Sequence, residues 1–139
     1  MLLPNSKVVL TGGSGGIGQR VAALLVARGA SITTISRSDS GAGARHVAVD
    51  LSSTAGVAAA ARFLEREGPD ILINLAGVQY FGPIDQQRSD DIEATYAINL
   101  IAPVQLSRAV LPAMKRRGAG QIVNVGSILG HRGIPFQSE

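Results

Sequence analysis

Residues 7–18 read KVVLTGGSGGIG, a short apolar β-forming run that ends in a cluster of glycines. The segment that follows, IGQRVAALLVARG, sets Ile17, Val21, Leu24, Leu25 and Arg28 at helical spacing and stops at Gly29. This junction strongly constrains the fold. Its glycines allow a tight turn, let an anion touch backbone N–H groups, and let the helix start close against the strand. The string fits G-x-G-x-x-G at Gly13, Gly15 and Gly18, and T-G-x-x-x-G-x-G at Thr11, Gly12, Gly16 and Gly18. A glycine pattern alone is weak. Between a strand and an amphipathic helix it predicts a pyrophosphate cradle.

The rest of the chain alternates strand and helix. SITTIS is β-branched, and RHVAVD is another short strand. SSTAGVAAAARFLEREGP opens on serine, sets Val57, Ala61 and Leu64 on one face, and ends at Gly68 and Pro69, as a helix does. DILINLAG is a fourth strand, apolar on both faces. A helical stretch then runs from about Ser89 to Arg117, with Pro103 expected to break or restart it and Pro112 to bend it. A fifth strand spans Gln121 to Val125. Strands without polar alternation, separated by helices, predict an α/β fold: a parallel sheet covered on both faces, with right-handed crossovers. The 139 residues make one domain by length, and Ser38 to Arg45, SDSGAGAR, is a connection within it.

Composition narrows the function classes. Cysteine is absent, which excludes disulfides, thiolate catalysis and cysteine-ligated zinc; no metal site is expected. The net charge is +3, and the one basic run, Lys115-Arg116-Arg117, reads as a helix terminus. No basic stripe interleaved with aromatics points to nucleic acid. The first residues, MLLPNSK, hold no signal-peptide stretch, and no run approaches the ~18 apolar residues of a membrane span. A cytoplasmic protein away from membranes is the expectation.

Small and polar residues follow every strand: the glycine loop, then Ser36 and Arg37, Asp50, Asn74 to Gly77, and Gly126 with Ser127. Ligands of open α/β sheets bind at those carboxyl ends. Ser36 and Arg37 bear on the choice of dinucleotide. Free ribose hydroxyls call for an acid at the end of the second strand, whereas a 2′-phosphate calls for a cation. Serine holds the acid position, and the arginine beside it can grip a phosphate through two N–H groups. NADP(H) is therefore expected over NAD(H).

These residues resemble the short-chain dehydrogenase/reductase family. TGGSGGIG resembles its glycine motif, VDLS with Asp50 its adenine-contacting segment, and NLAG its N-N-A-G motif with Leu75 in the second place. YAINLIAPV resembles the helix that carries a catalytic asparagine, here Asn99, and IVNVGSILG the strand that carries a catalytic serine, here Ser127. The resemblance runs from about Lys7 to Glu139. It implies a Rossmann-type doubly wound sheet of strand order 3-2-1-4-5. It also implies hydride transfer between a nicotinamide and a small carbonyl or alcohol substrate, commonly in a homo-oligomer. The implied nucleotide contacts are Gly12, Ser14, Gly15, Gly16, Ile17, Gly18, Ser36, Arg37, Asp50, Leu51, Asn74, Ala76 and Gly77. Loop residues Val78 to Pro83 and Ile128 to Ile134 are expected to line one side of the substrate pocket.

The family's proton passes through a tyrosine in Y-x-x-x-K, whose lysine lowers the tyrosine pKa. Here Tyr80 is followed at that spacing by Ile84 and Tyr96 by Leu100, so neither fits. From Ser127 the family's tyrosine falls just past Glu139. The expectation is the N-terminal part of a longer reductase, its sheet truncated after the fifth strand. A dinucleotide-binding module without chemistry, or an inert fragment, are the alternatives. His131 lies close to Ser127 in sequence, but a lone histidine in a glycine-rich loop is ordinarily solvated. The open edge of the fifth strand and a helix face with Val104, Leu111 and Met114 are expected to be left uncovered.

Overall fold

The computed structural model describes residues 4–39, 41, 44–132 and 135; part of the Ser38 to Arg45 connection, and Ile134 of the expected substrate loop, lie outside these. Five parallel strands form one sheet in the order β3-β2-β1-β4-β5. They are β1 (Lys7–Thr11), β2 (Ser31–Ser36), β3 (Arg45–Ala48), β4 (Ile71–Asn74) and β5 (Gln121–Asn124). The helices are α1 (Gly16–Ala27), α2 (Thr54–Glu67), α3 (Ser89–Tyr96) and α4 (Ala102–Arg117). Strand order and fold class are those expected from the sequence.

The pleat sends alternate side chains of each strand to opposite faces. Val8, Leu10 and Ile32 pack with Ala22 of α1. Val9, Ile35 and Leu72 pack with Val57, Ala60, Phe63 and Leu64 of α2 and with Leu106, Val110 and Met114 of α4. Both faces are covered, which is why the central strands carry no polar alternation. β2 spans SITTIS as expected, whereas β3, β4 and β5 end earlier than the sequence suggests. Beyond the ladders single bonds continue, from Gly12 N–H to Ile35 O, from Val49 N–H to Ser36 O and from Val125 N–H to Asn74 O. The residues freed in this way form the rim of a cleft.

The apolar face of α1 differs from the expected one. Gly18 and Ala22 are buried, whereas Ile17 is 72% and Leu24 55% exposed. Two nearly side-chain-free positions let the helix backbone lie close to the sheet; Val21 and Leu25 pack against the core as expected, while Ile17 and Leu24 turn outward. α2 has the expected termini. Ser53 Oγ accepts from Gly56 N–H at 3.0 Å, and Gly68 closes the helix in the left-handed region with φ 55°.

Pro103 stands in the first turn of α4, where the α-helix restarts, but it does not break the helical run. Helical backbone runs from Ser89 to Arg117, with a π-helical segment at Ala97–Ile101 between α3 and α4. Proline has no N–H to give the carbonyl four residues back, and its ring crowds that carbonyl. A widened turn just ahead of it accommodates both. By length and composition alone this stretch reaches that of a membrane span: 29 residues, with mean hydropathy 1.2 over its best 18-residue window. Composition had suggested otherwise, because no unbroken apolar run exists. Here Ala102, Leu106, Ala109, Val110 and Met114 are buried along α4, all beside α2 and the sheet in one core. Met114 therefore does not belong to the exposed face, although Val104 and Leu111 do. Arg117 is likewise no simple solvated terminus. Its guanidinium donates to Gly68 O at 3.1 Å and Pro69 O at 2.8 Å, tying α4 to the end of α2.

One buried hydroxyl joins the two central strands where they diverge. Thr11 is 2% exposed, and its Oγ1 accepts from Leu75 N–H at 3.1 Å and Ala76 N–H at 3.0 Å. Thr11→Val keeps the shape but leaves two N–H groups without their acceptor. It should lower the unfolding free energy by about 1–3 kcal/mol in urea titration, and Thr11→Ser should lower it less. A loss in Thr11→Ser with none in Thr11→Val would assign the effect to the methyl group instead.

A cleft at the carboxyl ends of the strands

The glycine loop is shaped by backbone packed on backbone. Gly12 has φ +73°, and a Cβ there would lie 2.8 Å from Ala76 Cα. A Cβ on Gly18 would strike the carbonyl oxygen of Gly12, whereas one on Gly16 would meet nothing. Gly12, Gly13 and Gly18 thus have no room for a side chain, and Gly15 and Gly16 leave the mouth open. The turn is held by Gly12 N–H on Ile35 O at 2.9 Å and by Gly15 N–H on Gly12 O at 3.2 Å. α1 starts here with Gly15 at its N-cap, no capping side chain and no acidic residue in its first turn. Its leading N–H groups and positive dipole end are therefore left to an external anion.

Around this loop lies a cleft of about 350 Å³ lined by four strand ends. β1 contributes Gly12, Ser14, Gly15, Gly16, Ile17 and Gly18; the segments after β2 and β3 contribute Ser36, Arg37, Asp50 and Leu51; the loop after β4 contributes Ala76 and Gly77. Ser36 is buried, and its Oγ donates to Ser38 O at 2.8 Å. Asp50 Oδ1 accepts from Ser52 N–H at 3.0 Å and Ser52 Oγ at 2.8 Å. Those two bonds, with a smaller contribution from the Arg37 cation, hold the Asp50 carboxyl below the ordinary aspartate range. Asp50 is thus a fixed acceptor in the same cleft as the Arg37 cation.

Three predicted residues lie outside this cleft. Asn74 is buried behind it, where its Nδ2 donates to Asn124 Oδ1 at 2.8 Å and Ser107 Oγ at 3.3 Å. Its amide joins β4, β5 and α4 instead of facing the cleft. Asn99 sits in the π-helical segment. Its Oδ1 accepts from Val78 N–H at 2.9 Å and its Nδ2 donates to Val78 O at 2.8 Å, so it clamps the loop after β4. With Asn74, Asn124 and Gly126 it lines a neighbouring depression of about 700 Å³. Ser127 follows Gly126 on the exposed surface. Its Oγ accepts from Leu129 N–H at 3.1 Å, which leaves the hydroxyl proton free to be donated.

Sequence reasoning missed the apolar walls, Ile35, Val49 and Ile98. Val49 could have been found from its place before Asp50. Ile98 comes from a segment distant in sequence and carries no local signal. Val78, expected on the substrate side, lines this cleft as well. The residues present fit a dinucleotide: a glycine-walled, uncapped helix start for a pyrophosphate, a carboxylate acceptor for an adenine, and aliphatic walls for its ring.

Known proteins resemble this chain in sequence and fold. The family model for short chain dehydrogenase matches residues 6–139. Ketoacyl reductase HetN from Nostoc sp. is 34% identical across 98% of this chain and 52% of its own length. The chain thus spans about half the length of this curated relative. Among solved structures, a metagenomic short-chain oxidoreductase in complex with NADP is 33% identical with TM-score 0.84, over 97% of this chain and 68% of that one. 4-Hydroxyisoleucine dehydrogenase complexed with NADH is 26% identical with TM-score 0.86, over 96% of this chain and 60% of that one. The family model covers nearly the whole chain, and the chain belongs to the short chain dehydrogenase family.

Proposed function

We propose that these residues form the nucleotide-binding part of an NADP(H)-dependent oxidoreductase that moves hydride between the nicotinamide and a carbonyl or alcohol. The observation that carries this reading is Arg37. It lines the cleft at the end of β2, where serine stands in place of an acid. Among the described residues it has no ion-pair or hydrogen-bond partner. A free guanidinium there suits a 2′-phosphate.

The dinucleotide, when bound, supplies or accepts the hydride. The protein's own part is to hold and orient. Gly15, Gly16 and the start of α1 receive the pyrophosphate, Arg37 the 2′-phosphate, and Asp50 with Leu51 the adenine end. Ser127, with its proton free, orients a carbonyl oxygen. Asn99 fixes the loop that carries Gly77 and Val78 beside the reacting end. Proton transfer needs an acid matched to neutral pH. Neither tyrosine here stands in Y-x-x-x-K, and we place that pair in sequence beyond Glu139 of a longer protein. By themselves the 139 residues are then a binding module. Exposed Val104, Leu111 and the far edge of β5 suit self-association.

Calorimetry on the chain should show tighter binding of NADPH than of NADH, and Arg37→Ala should remove about 1.5–3 kcal/mol of that difference. Equal affinities for the two nucleotides would overturn the assignment. The same chain should give no NADPH-dependent carbonyl reduction. Turnover that vanishes in Ser127→Ala would reveal a substitute acid within these residues. Light scattering should find oligomers that Val104→Glu weakens, whereas a monomer at high concentration would contradict self-association.

A further inference from the structure

The turn after β2 is arranged before any ligand arrives. Ser36 is 7% exposed, and its Oγ donates to Ser38 O at 2.8 Å, folding the chain back around Arg37. Asp39 Oδ1 accepts from Gly41 N–H at 3.0 Å, so the nearest carboxylate in sequence is engaged in its own turn. Arg37 and Ser36 line the cleft and Asp39 does not; Asp50 is the acid that shares the cleft with Arg37. A serine hydroxyl has a single proton, and a phosphate oxygen only accepts. With that proton on the Ser38 carbonyl, Ser36 has none to offer a phosphate.

We propose that Ser36 is a positioning residue: it sets nucleotide preference by holding the turn that presents Arg37, not by touching the nucleotide. This rests on the reading of Arg37 as a 2′-phosphate contact. Losing the bond frees the turn, and the arginine must then be ordered at the moment of binding. The effect is confined to ligands that carry a 2′-phosphate.

The test is a double-mutant cycle in the 139-residue chain, with NADPH and NADH titrated calorimetrically. Ser36→Ala should weaken NADPH about threefold to tenfold, the scale of one hydrogen bond, and leave NADH unchanged. Ser36→Thr, which keeps the hydroxyl, should restore NADPH affinity. In an Arg37→Ala background, Ser36→Ala should add nothing further. Equal weakening of both nucleotides, or a full further loss in the Arg37→Ala background, overturns the inference. Should Ser36→Ala not fold, a crystal structure of the unaltered chain with NADP+ decides: Ser36 Oγ on Ser38 O supports the inference, and Ser36 Oγ on a phosphate oxygen overturns it. An Arg37→Ala variant with unchanged preference fails the underlying reading instead, whatever Ser36 does.

Discussion

Two backbone N–H groups, those of Leu75 and Ala76, end on one buried hydroxyl, and the cleft takes its shape from that. β1 and β4 are neighbours in the sheet, but past Thr11 and Asn74 they must part to leave room for a ligand. A gap between strand ends leaves polar backbone without ladder partners, and buried N–H groups without acceptors are costly. Thr11 satisfies two of them from the side. The Gly12 turn then fits against Ala76 closely enough to exclude any side chain. Gly18 meets the Gly12 carbonyl in the same way and fixes where α1 begins. The open mouth at Gly15 and Gly16 is what this packing leaves.

Electrostatics follows from that frame. The uncapped start of α1 offers partial positive charge at one end of the cleft. Arg37 supplies a full charge on the other wall, and Asp50 a carboxylate already committed to Ser52. A ligand with two separated anionic groups and a hydrogen-bonding ring between its phosphate and the far wall matches this distribution. The asymmetry comes from different loops, each held by bonds internal to itself.

Much of this was legible in the sequence because it concerns backbone geometry. The glycine string, the Ser53 and Gly68 caps and the apolar strands each express a local requirement, and each appears where its residues suggested. Features that depend on distant partners were not legible. Asn74 sits in a motif associated with the nucleotide, yet it binds Asn124 and Ser107, partners set only by register and helix placement. The outward turn of Ile17 and Leu24 follows from how closely Gly18 lets α1 approach, which periodicity does not encode. Pro103 announced a disturbance, but whether a helix breaks or widens depends on the core holding Ala102 and Leu106 in place.

The central claim is that one dinucleotide lies across the carboxyl ends of β1, β2, β3 and β4. Backbone amide shifts of the chain, followed by NMR as NADP+ is added, test it most directly. The account predicts changes concentrated in Gly12 to Gly18, at Ser36, Arg37, Asp50 and Leu51, and from Ala76 to Val78, with α2 and the far end of α4 unmoved. Changes centred instead on the groove between α2 and α3, around Val57, Ile92 and Tyr96, would contradict it.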